Sequence, residues 1–456
     1  MIDLSQRRRF HLVGIGGAGM SAIATVLSAM GHEVTGSDLK SSPALERLAT
    51  AGLRLSTGHE AANVAGADAV AISSAISAAN PEVVEAVRLG IPVHSRAELL
   101  AAVTRLRRTI AVAGSHGKTT TSSMLSLILV EAGMRPSFII GGDLNEIGTN
   151  AVWDQGEWMV VEADESDGTF LHLGAEIAVV TSLEPDHLEH YGGFGQLTES
   201  FERFVAEARL ALCYGDDPRP AALAARAGEG SALFGRGEGA RFRLAEIEVG
   251  RAEVSFALSD GGADLGRFEL PVPGEHNALN AGAAIGAALL AGVGAEPARR
   301  ALKRFAGVAR RFEFRGEKNG VTFVDDYAHL PGEVSAMCAA ARRGGYGRVV
   351  AVFQPHRYSR TELLAAQFAD SFLEADVVLV TSIYAAGEAP RPGVSGQLVV
   401  DAVLSAHPEA EISYVPDHEG LLASLRQLLR PGDLCLTLDA GDLAGLADEL
   451  LGDGSW

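Results

Sequence analysis

At 456 residues the chain exceeds what one hydrophobic core holds, so two to four domains are expected. The 58 acidic against 38 basic residues leave a net charge of −20, which argues against a nucleic-acid partner or an anionic membrane surface. Cys213, Cys338 and Cys435 lack paired spacing, which fits a reducing cytoplasm without a disulfide frame or zinc site. Arg7-Arg8-Arg9 leads into an apolar run that holds His11 and dissolves into glycines, which is not a signal peptide. The longest uncharged apolar segment, Ala281 to Ala295, is too short to span a bilayer. A soluble cytoplasmic protein is expected.

Phe10 to Val13 reads as a strand running into Gly14-Ile15-Gly16-Gly17-Ala18-Gly19, followed by a helix with Met20, Ile23, Val26 and Leu27 on its apolar side. A second strand, Glu33 to Gly36, ends at Ser37-Asp38. Strand, glycine turn, helix and a downstream acid form a dinucleotide-type fingerprint, with a diphosphate on the helix N-terminus. The pattern does not say whether that diphosphate belongs to NAD or to another nucleotide. Further elements at Ala67 to Ser73, Glu82 to Arg88 and Glu98 to Val103 fit a small doubly wound domain ending near Leu106.

Thr109 to Val112 is a strand candidate that opens into Gly114-Ser115-His116-Gly117-Lys118-Thr119-Thr120 and then a helical segment with Met124, Leu125, Leu127 and Ile128. Val112 stands where the strict Walker pattern asks for glycine, which leaves a compact Gly-x-x-Gly-Lys-Thr loop. In such a loop backbone amides cradle phosphate, Lys118 reaches the outer phosphates and the Thr119 hydroxyl holds magnesium. Lysine occurs only at positions 40, 118, 303 and 318, so a lysine in a glycine loop is unlike surface filler.

Trp158 to Glu162 reads as a buried strand delivering the acidic cluster Glu162-Ala163-Asp164-Glu165-Ser166-Asp167, where a magnesium ion is expected on Glu162. Ile177 to Thr181 ends at Glu184-Pro185-Asp186-His187, and His187 is a metal-ligand or supporting candidate. From Phe242 to Val272 short strands alternate, and Gly228 to Gly239 and Ser259 to Gly266 look like hairpin loops. His276, Asn277 and Asn280 open an alanine-rich helix. Their spacing suits either a base edge or helix capping by Asn277.

Gly307 to Glu313 reads as a connector carrying Arg310 and Arg311. A third α/β unit follows, with strands at Val321 to Val324, Val349 to Phe353, Val377 to Val380, Ile412 to Val415 and Leu434 to Leu438. Their ends carry Tyr327 and His329, then Arg357 and Arg360, then Tyr384 with Glu388, then Asp439 to Asp442. Ligands bind at the carboxyl ends of parallel strands, so these clusters are expected to face one cleft. Arg357 and Arg360 suit a small carboxylate, and His329 suits a base or an orienting group.

These words, in this order over essentially the whole chain, resemble the Mur ligase family. They include the turn Gly14 to Gly19, the loop Gly114 to Thr121, Glu162 to Gly168, Glu184 to His187 and His276-Asn277. Arg310 to Glu313, Asp325 to His329 and Phe353 to Thr361 complete the set. The resemblance implies an α/β fold of three domains: an N-terminal Rossmann-like domain at 1–106, a central P-loop ATPase-like domain with extra strands at 107–308, and a C-terminal Rossmann-like domain at 309–456. It implies ATP- and Mg2+-dependent joining of L-alanine to the lactyl carboxylate of UDP-N-acetylmuramate through an acyl phosphate, in peptidoglycan synthesis, by a monomer or homodimer.

By the same resemblance Gly14, Gly16, Gly17, Ala18, Gly19, Ser37 and Asp38 hold the UDP-sugar. Gly114 to Thr120 with His276, Asn277 and Asn280 hold ATP. Thr119, Glu162 and His187 hold metal; Lys118, His187, Arg311 and His329 act in catalysis; and Tyr327, His329, Arg357 and Arg360 hold the amino acid. The chain departs from the family pattern in having Ser115 for threonine, Leu330 for a second histidine, Asp439 for glycine, and no lysine between Lys118 and Lys303. The alternatives are a ligase of the family that adds another amino acid or a peptide, an NAD-binding oxidoreductase, and a non-catalytic nucleotide switch.

Overall fold

The computed structural model describes residues 2–186, 188–250, 252–308 and 310–452. Apolar runs rich in valine and isoleucine, punctuated by glycine turns, pair into three sheets of five, ten and six strands. The first sheet holds β1 (Arg9–Val13), β2 (Glu33–Asp38), β3 (Arg54–Thr57), β4 (Ala69–Ile72) and β5 (Val93–Ser95), in the order β3-β2-β1-β4-β5. All its pairings are parallel. The order reverses at β1, so the glycine turn after Val13 opens at the switch point where α/β sheets leave a crevice.

The second sheet holds β6 (Arg108–Ala113), β7 (Ser137–Leu144), β8 (Thr149–Val152), β9 (Trp158–Glu162), β10 (Ile177–Val180), β11 (Leu210–Tyr214), β12 (Ser231–Gly235), β13 (Phe242–Val249), β14 (Val254–Asp260) and β15 (Ala263–Leu270). Its order is β15-β14-β13-β12-β11-β10-β6-β9-β7-β8. Strand β6 runs parallel between β10 and β9, which makes it the second switch point, and the Lys118 loop follows it. The glycine-rich Gly228 to Gly239 stretch is not a simple hairpin loop. Ala232 and Phe234 are buried within it, and β12 pairs in parallel with β11. The Ser259 to Gly266 stretch does contain a turn, at Gly261 and Gly262, both at positive φ.

The third sheet holds β16 (Glu313–Lys318), β17 (Val321–Asp326), β18 (Arg348–Gln354), β19 (Val377–Val380), β20 (Ile412–Tyr414) and β21 (Asp433–Asp439), in the order β16-β17-β21-β18-β19-β20. Both of its faces are covered by buried apolar clusters, one around Val334, Phe353 and Phe368 and one around Phe323, Leu421 and Leu446. Register sets Asp326 beside Leu438 and Gln354 beside Asp439, so the polar ends of β17, β21 and β18 lie in one row. The connector reading of Gly307 to Glu313 stops short. The chain continues directly into β16, an antiparallel edge strand that a polar sequence, Glu-Phe-Arg-Gly-Glu-Lys, does not announce.

The chain divides into two compact units. One comprises Met1–Ala245, Ala257–Gly266 and Leu279–Lys303; the other comprises Glu246–Phe256, Arg267–Ala278 and Arg304–Trp456. In the first, the helix Ala18–Ala29 shares one apolar cluster with residues of β7 and β8, such as Ile139 and Ala151. Among the described residues no helix is long and apolar enough to cross a membrane. The three cysteines are free and buried.

Candidate active site

The first glycine turn is built by backbone conformation that only glycine takes without strain. Gly14 has φ 77°, and the Gly16 amide donates to Asp38 Oδ2 at 2.8 Å. Asp38, read as a nucleotide contact, is therefore a strut that closes the turn. The helix Ala18–Ala29 starts after Gly17 without a side-chain cap, leaving N-terminal amides of the kind that bind anions. Ser37 corrects the sequence reading. It is fully buried, and its hydroxyl donates to Glu82 Oε2 at 2.6 Å rather than facing a ligand. Burial raises the Glu82 carboxyl, but hydrogen bonds from His11, Ser37 and Asn63 win and hold it at about 2. Sequence reading also missed Arg96, whose Nη1 lies 3.2 Å from where a Cβ on Gly19 would stand, and which pairs with Asp167 at 2.7 Å.

The second loop turns at Gly114 (φ 135°) and Gly117 (φ 77°). Thr181 donates to the His116 carbonyl, and Ser182 Oγ accepts from the His116 amide at 2.8 Å. The Glu184 amide donates to Ser115 Oγ at 2.8 Å, and His116 Nε2 is 3.0 Å from Glu184 Oε2. Loop and β10 end are thus stitched together. Lys118 Nζ donates to the Gly114 carbonyl at 2.6 Å and to Glu165 Oε1 at 2.9 Å. Burial lowers the lysine, yet Glu165, Asp164 and Glu162 outweigh it and raise its pKa. Glu165 is 1% exposed, and burial pushes its carboxyl up to about 7 against the pull of Lys118. Tyr191 donates its hydroxyl to the Glu165 carbonyl at 2.5 Å.

Thr119 and Thr120 are buried at the start of the helix Lys118–Glu131. Glu162, expected to hold metal, accepts from the Gly141 amide at 2.7 Å. Asn280 reaches the loop: its Oδ1 lies 2.3 Å from where a Cβ on Gly117 would stand and 3.4 Å from Thr121 Oγ1. His187 lies outside the described residues. A Cβ on Gly114 would stand 2.3 Å from Thr181 Oγ1 and 2.8 Å from the Ser182 amide nitrogen, and the latter cannot swing away. Gly114→Ala is expected to destabilise the fold by about 1–3 kcal/mol. A urea midpoint equal to that of the parent would contradict this.

In the second unit Asn277 is not a helix cap. It lies inside the helix Glu275–Leu290, and its Nδ2 donates back to the Pro273 carbonyl at 2.6 Å. His276 is pushed down to about 4 by burial, with the Arg311 and Arg343 charges adding to it. Asp326 accepts from the Phe312 and Ala328 amides, each at 2.7 Å, and burial lifts it to about 6 against the Arg311 charge. The Tyr327 ring carries two guanidinium groups, Arg310 at 5.0 Å and Arg311 at 5.2 Å. Glu333 accepts from the His329 amide at 2.9 Å, and His329 Nδ1 is 2.9 Å from the Tyr327 carbonyl.

His329 packs on His356 at 5.4 Å, and His356 stacks on Tyr384 at 5.6 Å. Arg360 Nη1 lies 2.8 Å from His356 Nδ1. The structure gathers Tyr327, His329, His356, Arg360 and Tyr384, from strand ends that the sequence reading assigned to one cleft, into one cluster. Arg357 adjoins it, its amide donating to the Tyr384 carbonyl at 2.8 Å.

Asp325, on β17, is 1% exposed and 3.6 Å from Arg315 Nε. Burial, with Asp439 and Glu313 adding, pushes it up to about 7 against the Arg315 charge. A carboxyl raised above its unfolded value favours folding while protonated, and that advantage is lost as pH climbs through the folded pKa. Asp325→Asn is therefore expected to stabilise the fold more at pH 8 than at pH 5, by about 1–3 kcal/mol in urea unfolding. An equal gain at both pH values would contradict this.

Three α/β sheets, with a glycine-lysine phosphate loop at a switch point and clustered polar strand ends, define a nucleotide-using α/β enzyme architecture. The models that match the chain are the Mur ligase family catalytic domain over residues 9–108, the Mur ligase middle domain over 112–288, and the Mur ligase glutamate ligase domain over 310–441. The chain belongs to the Mur ligase family. It is 47% identical to a UDP-N-acetylmuramate--L-alanine ligase of Rubrobacter xylanophilus, over 97% of this chain and 99% of that one. A relative of the same name in Anaeromyxobacter is 46% identical over 98% of each chain. The crystal structure of the UDP-N-acetylmuramate-alanine ligase MurC from Thermotoga maritima is similar with a TM-score of 0.81 and 28% identity, covering 98% of this chain and 99% of that one.

Proposed function

We propose that this chain joins L-alanine to the lactyl carboxylate of UDP-N-acetylmuramate with hydrolysis of ATP to ADP, in the cytoplasm, as a step of peptidoglycan synthesis. The observation that carries the chemistry is Lys118, held in a glycine loop against the buried Glu165 and ringed by further acids. A carboxylate does not acylate an amine unaided. It first takes the γ-phosphoryl group as an acyl phosphate; the amine then attacks the carbonyl carbon, and phosphate leaves with the C–O bond. Such transfer asks the protein for alignment and positive charge rather than covalent help.

In this reading Lys118 neutralises the outer phosphates, the loop amides from Gly114 to Thr120 cradle them, and Asn280 braces the loop. Hydroxyl and carboxylate oxygens are the donors magnesium prefers, so Thr119 and Glu162 are the residues that would hold it. Bound there, the ion would supply charge neutralisation at the phosphates. The Gly141 amide sits on Glu162 Oε2 alone, which leaves the carboxylate further acceptor sites. The turn at Gly14 to Gly19 takes the diphosphate of the UDP-sugar, with Asp38 as its strut. Arg311 offers charge to the reacting oxygens, and Arg357 and Arg360, beside Tyr327 and His329, take the amino-acid carboxylate.

A panel of amino acids and short peptides, tested for ADP release with UDP-N-acetylmuramate and magnesium, decides the matter. L-Alanine is expected to stimulate release most strongly. A peptide stimulating it instead would favour the other ligase reading, and release without any amine would favour a nucleotide switch.

A further inference from the structure

Two successive arginines beside one aromatic ring repel each other, so a chain that keeps both must hold one in place. Arg310 and Phe312 both take left-handed backbone, φ 59° and 46°, which non-glycine residues adopt only when their surroundings impose it. The surroundings are explicit. The Arg310 amide donates to Glu313 Oε2 at 2.7 Å, its carbonyl accepts from the Tyr327 amide at 2.9 Å, and the Phe312 amide donates to Asp326 Oδ2 at 2.7 Å.

The Arg310 side chain is anchored as well. Its Nη2 donates to Asp439 Oδ1 at 2.9 Å and to the Asp439 carbonyl at 2.8 Å. Asp439 is 1% exposed at the end of β21, and its Oδ2 accepts from the Gly441 and Leu443 amides at 2.9 and 3.1 Å. Both oxygens are committed, so this carboxylate is a fixed post. A buried, hydrogen-bonded carboxylate of that kind cancels the Arg310 charge and holds its plane. The neighbouring Arg311 charge acts elsewhere, on His276 and Asp326.

We propose that Asp439 is a positioning residue of the reaction: by locking Arg310 to the end of β21 it fixes the Tyr327 ring and assigns Arg311 as the cation offered to the reacting oxygens. This rests on the reading of Arg311 given above. The pair spans 129 residues of sequence.

The test is a double-mutant cycle of Asp439→Asn and Arg310→Gln. Each single change is expected to lower kcat about 10- to 30-fold with the KM for ATP within about threefold, and the double variant to be no worse than the poorer single one. Asp439→Glu should recover part of the loss. Arg310→Gln reports the same link from the other end if Asp439→Asn proves too unstable to assay.

A merely structural role would leave one further readout unmoved. The His276 titration, followed by NMR, is expected to shift in Asp439→Asn, because the Arg311 charge that acts on it is no longer held apart from Arg310. Additive losses, a kcat within twofold of the parent, or an unmoved His276 would overturn the proposal. If the parent enzyme releases no ADP with any amine, the functional reading fails instead, and the His276 titration still decides the role of the pair.

Discussion

Lys118→Ala is expected to lower the rate of ADP formation by about three orders of magnitude or more while leaving the affinity for UDP-N-acetylmuramate within about twofold. The ammonium stands between the Gly114 carbonyl at 2.6 Å and Glu165 at 2.9 Å, and the acids around it raise its pKa despite burial. It is therefore charged at every working pH and available to phosphate oxygens that compete for it.

Removing one partner of a buried pair usually leaves an uncompensated charge and threatens the fold. Here the other partner has an escape. Glu165 already sits at about 7 with the lysine present, so without it the carboxyl takes a proton and stays buried in neutral form. The sign follows. A carboxyl whose folded pKa lies above its unfolded value contributes stability at low pH that is lost as pH rises through the folded pKa. The variant should melt lower than the parent at pH 8 and closer to it at pH 6, and it should remain able to bind the UDP-sugar at both. Lys118→Arg should be nearly as inactive, because a planar fork does not replace a compact point charge in a loop this closed. Activity within tenfold of the parent in Lys118→Ala would refute the role of the loop.

Arg357→Ala is expected to raise the KM for L-alanine about 30- to 100-fold, the worth of a charge-assisted carboxylate contact, with the KM for ATP within about threefold. The residue has φ 67° and ψ 140°, an unusual conformation for arginine. It is imposed by bonds on both sides: the amide donates to the Tyr384 carbonyl at 2.8 Å, and the carbonyl accepts from Thr361 Oγ1 at 2.8 Å. Strain retained at one half-buried arginine, next to the His356 and Tyr384 stack, is what a ligand clamp requires.

Two variants separate backbone from side chain. Arg357→Gly relieves the positive φ and should be more stable than Arg357→Ala, yet equally poor toward L-alanine. Arg357→Lys keeps the charge without the fork and should fall between parent and alanine variant. Steady-state kinetics with each substrate varied in turn is the measurement, and equal effects on L-alanine and ATP would remove Arg357 from amino-acid binding.

Much of the fold could be read along the chain because the informative signals are local. The apolar runs at Ile110 to Ala113 and Ile177 to Val180 are buried on both faces of a parallel sheet, so they stand out from the polar turns around them. The glycines at 14, 114 and 117 mark backbone that bends into the left-handed region, a property of single residues. Where local signal was weak, reading failed. The polar edge strand β16 carries no buried alternation, and β12 hides among glycines. Asn277 looks like a cap, but its amide turns back to Pro273.

The sequence alone determined which chemical groups exist and which backbone turns carry them: a lysine in a glycine loop, acids at the end of a strand, and arginines before the third sheet and after its strand β18. Only the tertiary structure decided what each group faces, because partners are set by strand order and register rather than by proximity in the chain. Gly16 meets Asp38 across 22 positions, Lys118 meets Glu165 across 47, and Arg310 meets Asp439 across 129. The same packing turned Ser37 inward to Glu82 and Glu162 toward Gly141. Desolvation acts only once those partners are assembled. Hence no sequence pattern could have told that Glu165 titrates near 7 while Glu82 stays near 2.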